Sequence, residues 1–295
     1  MISAGARLDA DTLATPHHGL GGAEGGPKRV IVIGAGLAGL VAGYELLRMG
    51  HDPLILEAQN RVGGRVFTLR DFAPGLYAEA GAMRIPRAHD LTLAYCEEFG
   101  LELRPFVMGN PKGLVQVGGV RMTAADADTR PELLPFQLAD HERGRPCGAV
   151  WEEAIAPLRE MLEQGGEGAW EEIVARYDHH SLVDFLAECG WSSGLVEYWA
   201  VMNFMEADLH TAVVEVLREE LLGAYVDMSE IVGGMDRLPN AFYHRLRDHL
   251  RLGAEVHALD QEDDSVTVLV RTGAGRYAVT GDYAICTLPF SVLRT

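Results

Sequence analysis

Cysteine is scarce in this chain: four residues in 295, Cys96, Cys147, Cys189 and Cys286, with no CxxC pair. Spacing this wide argues against a zinc ribbon or a disulfide framework and suits reduced, mostly buried thiols in a cytoplasmic protein. The eleven histidines fall in no HxxxH or HExxH arrangement, so no metal is expected. No cysteine context and no GxSxG elbow argues for a covalent nucleophile. No apolar run approaches the ~20 residues that cross a bilayer, which excludes a spanning helix. Positive charge is also short. With 25 basic against 43 acidic side chains the net charge is −18, which argues against nucleic acid or an anionic membrane as a partner. Residues 1–27 lack a basic start followed by an apolar core, so they read as a flexible Gly- and Ala-rich leader rather than a secretory signal.

What is present is more specific. The chain is 48% apolar, with ample length for a core. Arg29–Leu56 reads RVIVIGAGLAGLVAGYELLRMGHDPLIL and is followed at once by Glu57. A short apolar run suited to a buried parallel strand, a glycine turn, a helix, a second strand and an acid form the order of a dinucleotide-binding βαβ unit. Gly34 permits the tight turn, Gly36 lets backbone approach a pyrophosphate, and Gly39 allows helix and strand to pack closely. The helix N-terminus then offers N–H groups and partial positive charge to phosphates. Glu57, about 20 residues past the glycines, is placed to bind a ribose 2′-OH and to disfavour a 2′-phosphate.

A second glycine doublet follows directly. Gln59–Val66 reads QNRVGGRV, which sets Gly63 and Gly64 between Arg61 and Arg65. Further blocks are YAEAGAMRIP at Tyr77–Pro86, IVGGMDRLP at Ile231–Pro239, EVHALD at Glu255–Asp260 and DYAICTLPFSVL at Asp282–Leu293. Together with ILEAQNRVGGRV, these resemble the flavin-dependent L-amino-acid oxidases of the flavin monoamine oxidase family. The resemblance runs in order from about Lys28 onward, with the middle third matched only loosely.

The resemblance implies FAD as cofactor and a Rossmann-like α/β domain interrupted by a substrate-domain segment and a helical lobe. The expected divisions are a leader at 1–27, an FAD-binding βαβ unit at 28–74, a substrate-domain segment at 75–130, a helical lobe at 131–230, and a return to the FAD-binding domain at 231–295. Periodic charged and apolar residues between 131 and 222 support the helical part. Gly118-Gly119 marks a hairpin turn, Asp178 or Ser181 a helix start, and Gly190 a helix end. Strands are expected near Glu255–His257, Ser265–Arg271 and Tyr283–Leu288.

The resemblance also assigns site residues. Gly34, Gly36, Gly39, Glu57, Ala58, Gly63, Gly64, Arg65, Gly81, Ala82, Met83 and Val256 bind the cofactor, the last through its backbone to adenine. Arg84 binds the substrate carboxylate, because a guanidinium offers a rigid fork for two parallel hydrogen bonds. Oxidases of simple amines have no carboxylate to bind there. Arg70 and Arg87 have no such context and read as surface charges. Arg218, Glu219 and Glu220 read as a solvated helix face, and Asn203, Phe204, Tyr225 and Met228 as core rather than pocket.

The expected activity is oxidation of an L-amino acid by O2 to a 2-oxo acid, ammonia and hydrogen peroxide. Readings that stay open are a flavin amine oxidase, an amino-acid 2-monooxygenase, or a non-catalytic FAD-binding fragment. In the family, ICTLPFSVLR lies well before the end. The expectation is therefore a two-chain enzyme in which a separate C-terminal chain completes the substrate domain, the paired chains forming a homo-oligomer.

Overall fold

In a computed structural model, which describes residues 9–22, 25–165 and 168–294, the chain builds one unit, leaves it at residue 106 and rejoins it at 227. Helix α1 (Ala10–His18) comes first, so the stretch read as a flexible leader carries a nine-residue helix. Asp9 accepts the Thr12 N–H at 2.6 Å. At the other end, Arg48 donates to the carbonyls of Thr15, Pro16 and His17 at 3.1, 2.9 and 3.1 Å. Gly19, at φ 75°, caps the same end through its N–H to the Thr15 carbonyl at 2.8 Å; the sequence pattern hides this helix because it contains Pro16 and draws part of its closure from an arginine more than thirty residues away.

Strand β1 (Arg29–Ile33), helix α2 (Leu37–Arg48) and strand β2 (Asp52–Leu56) then form the expected βαβ unit, paired in parallel with Ile31 beside Leu54. Two short strands, β3 (Thr68–Leu69) and β4 (Ala78–Glu79), pair antiparallel. Helix α3 (Asp90–Glu98) and strand β5 (Leu103–Pro105) complete this first passage.

Residues 107–226 form the second unit. It opens with the hairpin β6 (Leu114–Val117) and β7 (Val120–Thr123). Gly118 and Gly119 hold φ of 54° and 84°, the two consecutive positive values that a twisted two-residue hairpin turn requires. The remainder is helical: α4 (Ala124–Thr129), α5 (Cys147–Gly165), α6 (Ala169–Tyr177), α7 (Leu182–Glu188), α8 (Ser193–Asn203) and α9 (Val213–Leu221). Apolar faces of these helices meet in a core that includes Trp151, Ile155, Ile173, Phe185, Tyr198 and Leu217. Ser181 caps α7 in a reciprocal pair with Asp184, and Gly190 turns with φ 80° after it.

On its return the chain adds β8 (Ser229–Ile231), which pairs antiparallel with β5, so outgoing and returning segments lie side by side within the first unit. Helix α10 (Arg237–Leu246) and strand β9 (Leu250–Arg251) follow. A three-stranded antiparallel sheet is made by β10 (Glu255–Gln261), β11 (Val266–Thr272) and β12 (Gly275–Gly281). The sequence reading omits β12, because only Val279 and Gly281 along it turn away from solvent. Strand β13 (Tyr283–Cys286) and helix α11 (Phe290–Leu293) come last.

The central sheet has the order β13-β1-β2-β9, every neighbouring pair parallel. Val32 and Ile55 on one face join Leu40, Phe242 and Leu246 in a core under α2 and α10. Ile31, Ile33 and Leu56 on the other face meet Val268 and Val270 of the antiparallel sheet. Apolar residues on both faces explain why β1 reads as a continuous apolar run rather than an alternating one. Among the cysteines, Cys96 and Cys147 are buried but Cys189 and Cys286 are exposed, so the thiols are evenly divided rather than mostly buried. Among the described residues, no helix is long and apolar enough to cross a membrane.

Candidate functional site

Beyond the carboxyl ends of β1, β2 and β13 lies a cavity of about 510 Å³, within the size range of small-molecule sites. Gly34 and Gly36 follow β1, Glu57 and Ala58 follow β2, and Thr287 follows β13; all line it. Helix α2 starts at its edge, with Leu37 and Ala38 in the lining. Gly36 is the N-cap of that helix and makes no side-chain cap, which leaves the first-turn N–H groups for a ligand.

The glycines act in two different ways. A Cβ on Gly39 would lie 2.0 Å from the Gly34 carbonyl oxygen, so helix and turn touch backbone to backbone. A Cβ on Gly36 would meet nothing within 4 Å. The missing side chain at Gly36 is thus open space on the cavity wall, a cradle that a bound group can fill.

The second glycine doublet completes the floor. Gly63 donates its N–H to the Ala35 carbonyl at 2.8 Å, and Gly36 and Gly63 form a parallel bridge. Gly64 lies so close that its Cβ would come 3.3 Å from the Gly36 Cα. Arg61 turns away from the ligand space: it donates to the Gly64 carbonyl at 2.9 Å and lies 4.2 Å over the Phe67 ring. Arg65 lines the cavity and is the cation available to a pyrophosphate.

Glu57 is 9% exposed and takes two backbone donors, Ala35 N–H on Oε2 at 2.7 Å and Gln59 N–H on Oε1 at 2.8 Å. Each carboxylate oxygen accepts more than one hydrogen bond, so the group can brace the turn and still receive a ribose hydroxyl.

Gly34, Gly36, Glu57, Ala58, Gly63, Gly64 and Arg65 therefore come together in one cavity. Gly39 stands behind them as a packing contact. Gly81, Ala82, Met83, Arg84 and Val256 are not among the residues lining it. Gly81 abuts the backbone of Arg65: its Cβ would lie 1.8 Å from the Arg65 carbonyl oxygen, and Ala82 donates to that oxygen at 3.2 Å. Arg84 is half-buried with its guanidinium 6.0 Å from the Phe106 ring centroid. Val256 packs toward the Ile31 core beside a bulge in the β10–β11 ladder.

The sequence reading missed Thr287, Leu288, Pro289 and Val292, which also line the cavity. Thr287 donates its hydroxyl to the Ile33 carbonyl at 2.9 Å. Their place follows from β13 lying parallel to β1, since the position beyond a parallel strand end is where ligands sit.

Other expectations are corrected or placed. Arg70 is exposed, as expected of a surface charge, and it also holds Asp236 through two hydrogen bonds of 2.7 Å. Arg87 does pair at the surface, with Asp227. Arg218 pairs with Glu215 one turn away, whereas Glu220 is half-buried and its carboxyl is pushed up by burial. Met228 is buried, but Phe204 is 87% exposed rather than core. Gly190–Gly194, GWSSG, does fit GxSxG spacing. It is no nucleophile elbow, because Ser192 follows a helix and caps α8, accepting Leu195 N–H and donating to the buried Glu142 at 2.6 Å.

The family pattern described as flavin containing amine oxidoreductase matches residues 37–295. The protein YobN of Bacillus subtilis (strain 168) is 35% identical over 91% of this chain and 57% of its own length. An L-amino acid oxidase of Cerastes cerastes is 33% identical over 88% of this chain and 51% of its own. The chain thus spans about half the length of the curated relatives it matches. A solved structure of a putrescine oxidase A394C mutant shares the fold, with a TM-score of 0.62 at 20% identity, covering 90% of this chain and 58% of that one. FAD is the cofactor that fits the open glycine cradle, the uncapped helix end and the ribose acid, and this chain belongs to the flavin containing amine oxidoreductase family.

Proposed function

We propose that this chain carries the FAD-binding part of an enzyme that oxidises an L-amino acid. The balanced reaction is amino acid plus O2 and water giving 2-oxo acid, ammonia and hydrogen peroxide. The observation that carries the reading is the joining of two glycine loops at Gly36 and Gly63 beside Glu57 in one cavity. The choice of an amino acid is supported by L-amino acid oxidases among the relatives. The reading takes in the part of the relatives' length that this sequence does not match, on the same polypeptide or on a second one.

FAD, when bound, supplies the two-electron oxidation and the transfer of electrons to O2. The chain's own residues bind and orient. Gly34, Gly36, Gly63 and Gly64 admit the pyrophosphate to the α2 N-terminus and to Arg65, and Glu57 receives a ribose hydroxyl. Gly81, Ala82, Met83 and the backbone of Val256 complete the cofactor contacts. Arg84 holds the substrate carboxylate in a bidentate pair, which fixes Cα for loss of its hydride. The imine so formed is hydrolysed by water.

The test is to titrate the purified protein with FAD, then mix the loaded protein with each of the twenty L-amino acids and with simple amines under O2. Peroxide and 2-oxo acid from amino acids are expected. Peroxide from amines alone, or an amide product, would replace this reading with an amine oxidase or a monooxygenase.

A further inference from the structure

Three side chains outside the cavity converge on one turn. Gly233 and Gly234 hold φ of +88° and +117°, conformations that L side chains rarely adopt. Arg70 donates to the Gly233 carbonyl at 2.7 Å and grips Asp236 with both ends of its fork. Glu79 accepts the Met235 N–H at 2.9 Å and the Thr68 hydroxyl at 2.7 Å. The same Thr68 oxygen accepts the Asp236 N–H at 3.1 Å. The β3–β4 pair thus holds Gly233–Asp236 through two backbone donors, one carbonyl and a bidentate ion pair.

That turn delivers the chain into α10, whose third residue, the buried Pro239, lies against the second glycine doublet. A Cβ on Gly63 would come 3.2 Å from the Pro239 Cγ. Gly63 in turn is bonded to Ala35 and bridged to Gly36. A contact path therefore runs from Thr68, Arg70 and Glu79 through the turn and Pro239 to the cavity floor.

We propose that Thr68, Arg70 and Glu79 are positioning residues that set the Gly63–Gly64 floor of the FAD site. An exposed ion pair alone contributes little. Here the pair acts with the buried Thr68 hydroxyl on a turn that has no side chains of its own at Gly233 and Gly234. When this clamp is lost, the start of α10 relaxes, Pro239 no longer fixes Gly63, and the Gly63–Ala35 bond that joins the doublet to the glycine turn loses its geometry. The inference rests on the FAD reading above.

The experiment is FAD titration of the chain by flavin fluorescence, comparing the parent with Thr68→Val, Thr68→Ser and Arg70→Met. Valine keeps the shape of Thr68 but removes the hydroxyl, and serine keeps the hydroxyl. Thr68→Val and Arg70→Met are expected to raise the FAD Kd roughly tenfold, as loss of a buried or charge-assisted bond does, with Thr68→Ser within about twofold of the parent. Parent-like Kd values in Thr68→Val and Arg70→Met would overturn the proposal. So would Thr68→Ser as weak as Thr68→Val, because methyl packing would then be the cause. A parent that binds no FAD would instead overturn the cofactor reading itself, and this inference with it.

Discussion

Glu57, at the end of β2, accepts the Ala35 N–H at 2.7 Å and so bonds directly to the glycine turn that follows β1. The residue expected to hold the ribose also holds the turn that faces the pyrophosphate. Glu57→Ala should therefore weaken FAD by about 1–3 kcal/mol and lower the thermal midpoint of the FAD-free chain as well, because the Ala35 N–H loses its acceptor. Cofactor extraction followed by retitration measures the first effect and calorimetry of the stripped protein the second. Unchanged FAD affinity would mean that the ribose binds elsewhere.

Gly36 and Gly39 should separate binding from folding. Gly36→Ala places its methyl in open space at the cavity wall, so the chain should fold normally but bind FAD poorly. Gly39→Ala drives a Cβ to 2.0 Å from the Gly34 carbonyl oxygen and should cost about 1–3 kcal/mol of stability or more before any ligand is considered. Thermal melts and FAD titrations on both variants give a double dissociation if this division holds. An unstable Gly36→Ala would show that the apparent space at Gly36 is occupied.

The parts of the site legible in the sequence are those made by local order. Strand, glycine turn, helix, strand and acid follow one another between Arg29 and Glu57, so spacing alone sets their geometry. Thr287 was not legible as a site residue because its position depends on β13 lying parallel to β1, with Ile33 beside Cys286, across some 250 residues of chain. The role of Arg70 depends in the same way on Asp236, a partner far along the sequence. Helix α1 escaped because Pro16 interrupts its pattern and its last carbonyls are held by Arg48, far along the sequence, in addition to the Gly19 cap. Strand β12 escaped because it is largely exposed and shows no apolar alternation.

Stability should fall at alkaline pH through buried thiols. Burial pushes the Cys147 thiol up to about 12 and the Cys96 thiol up to about 11, against an ordinary value of 9.0. The folded state keeps these protons while the unfolded chain releases them. Unfolding therefore liberates protons between pH 9 and the raised values, and this contribution to stability, complete below pH 9, is lost as pH rises through that window. Thermal midpoints measured across the window should decline, and less steeply in Cys147→Ala than in the parent. Identical slopes would mean that Cys147 is not protected from ionisation. In the same experiment, a thiol reagent applied to the folded protein should label Cys286 and spare Cys96 and Cys147.

Arg84 is the sharpest test of the substrate class. Its backbone is fixed by the next residue: Ile85 donates to the Ser229 carbonyl at 2.7 Å and accepts the Ser229 N–H at 2.9 Å. The guanidinium extends from that fixed point, half-buried, toward the face of Phe106. A guanidinium carries the rigid pair of N–H donors that two parallel bonds to a carboxylate need and that an ammonium cannot supply. Arg84→Ala and Arg84→Lys should therefore both lower kcat/KM for an amino acid, by about 2–5 kcal/mol for the alanine, while FAD stays bound. The corresponding amine, which lacks the carboxylate, should be indifferent to both substitutions. Steady-state peroxide assays on the two substrates, with bound flavin quantified by absorbance, measure this. Equal losses for amino acid and amine would remove the carboxylate clamp and leave Arg84 a structural role.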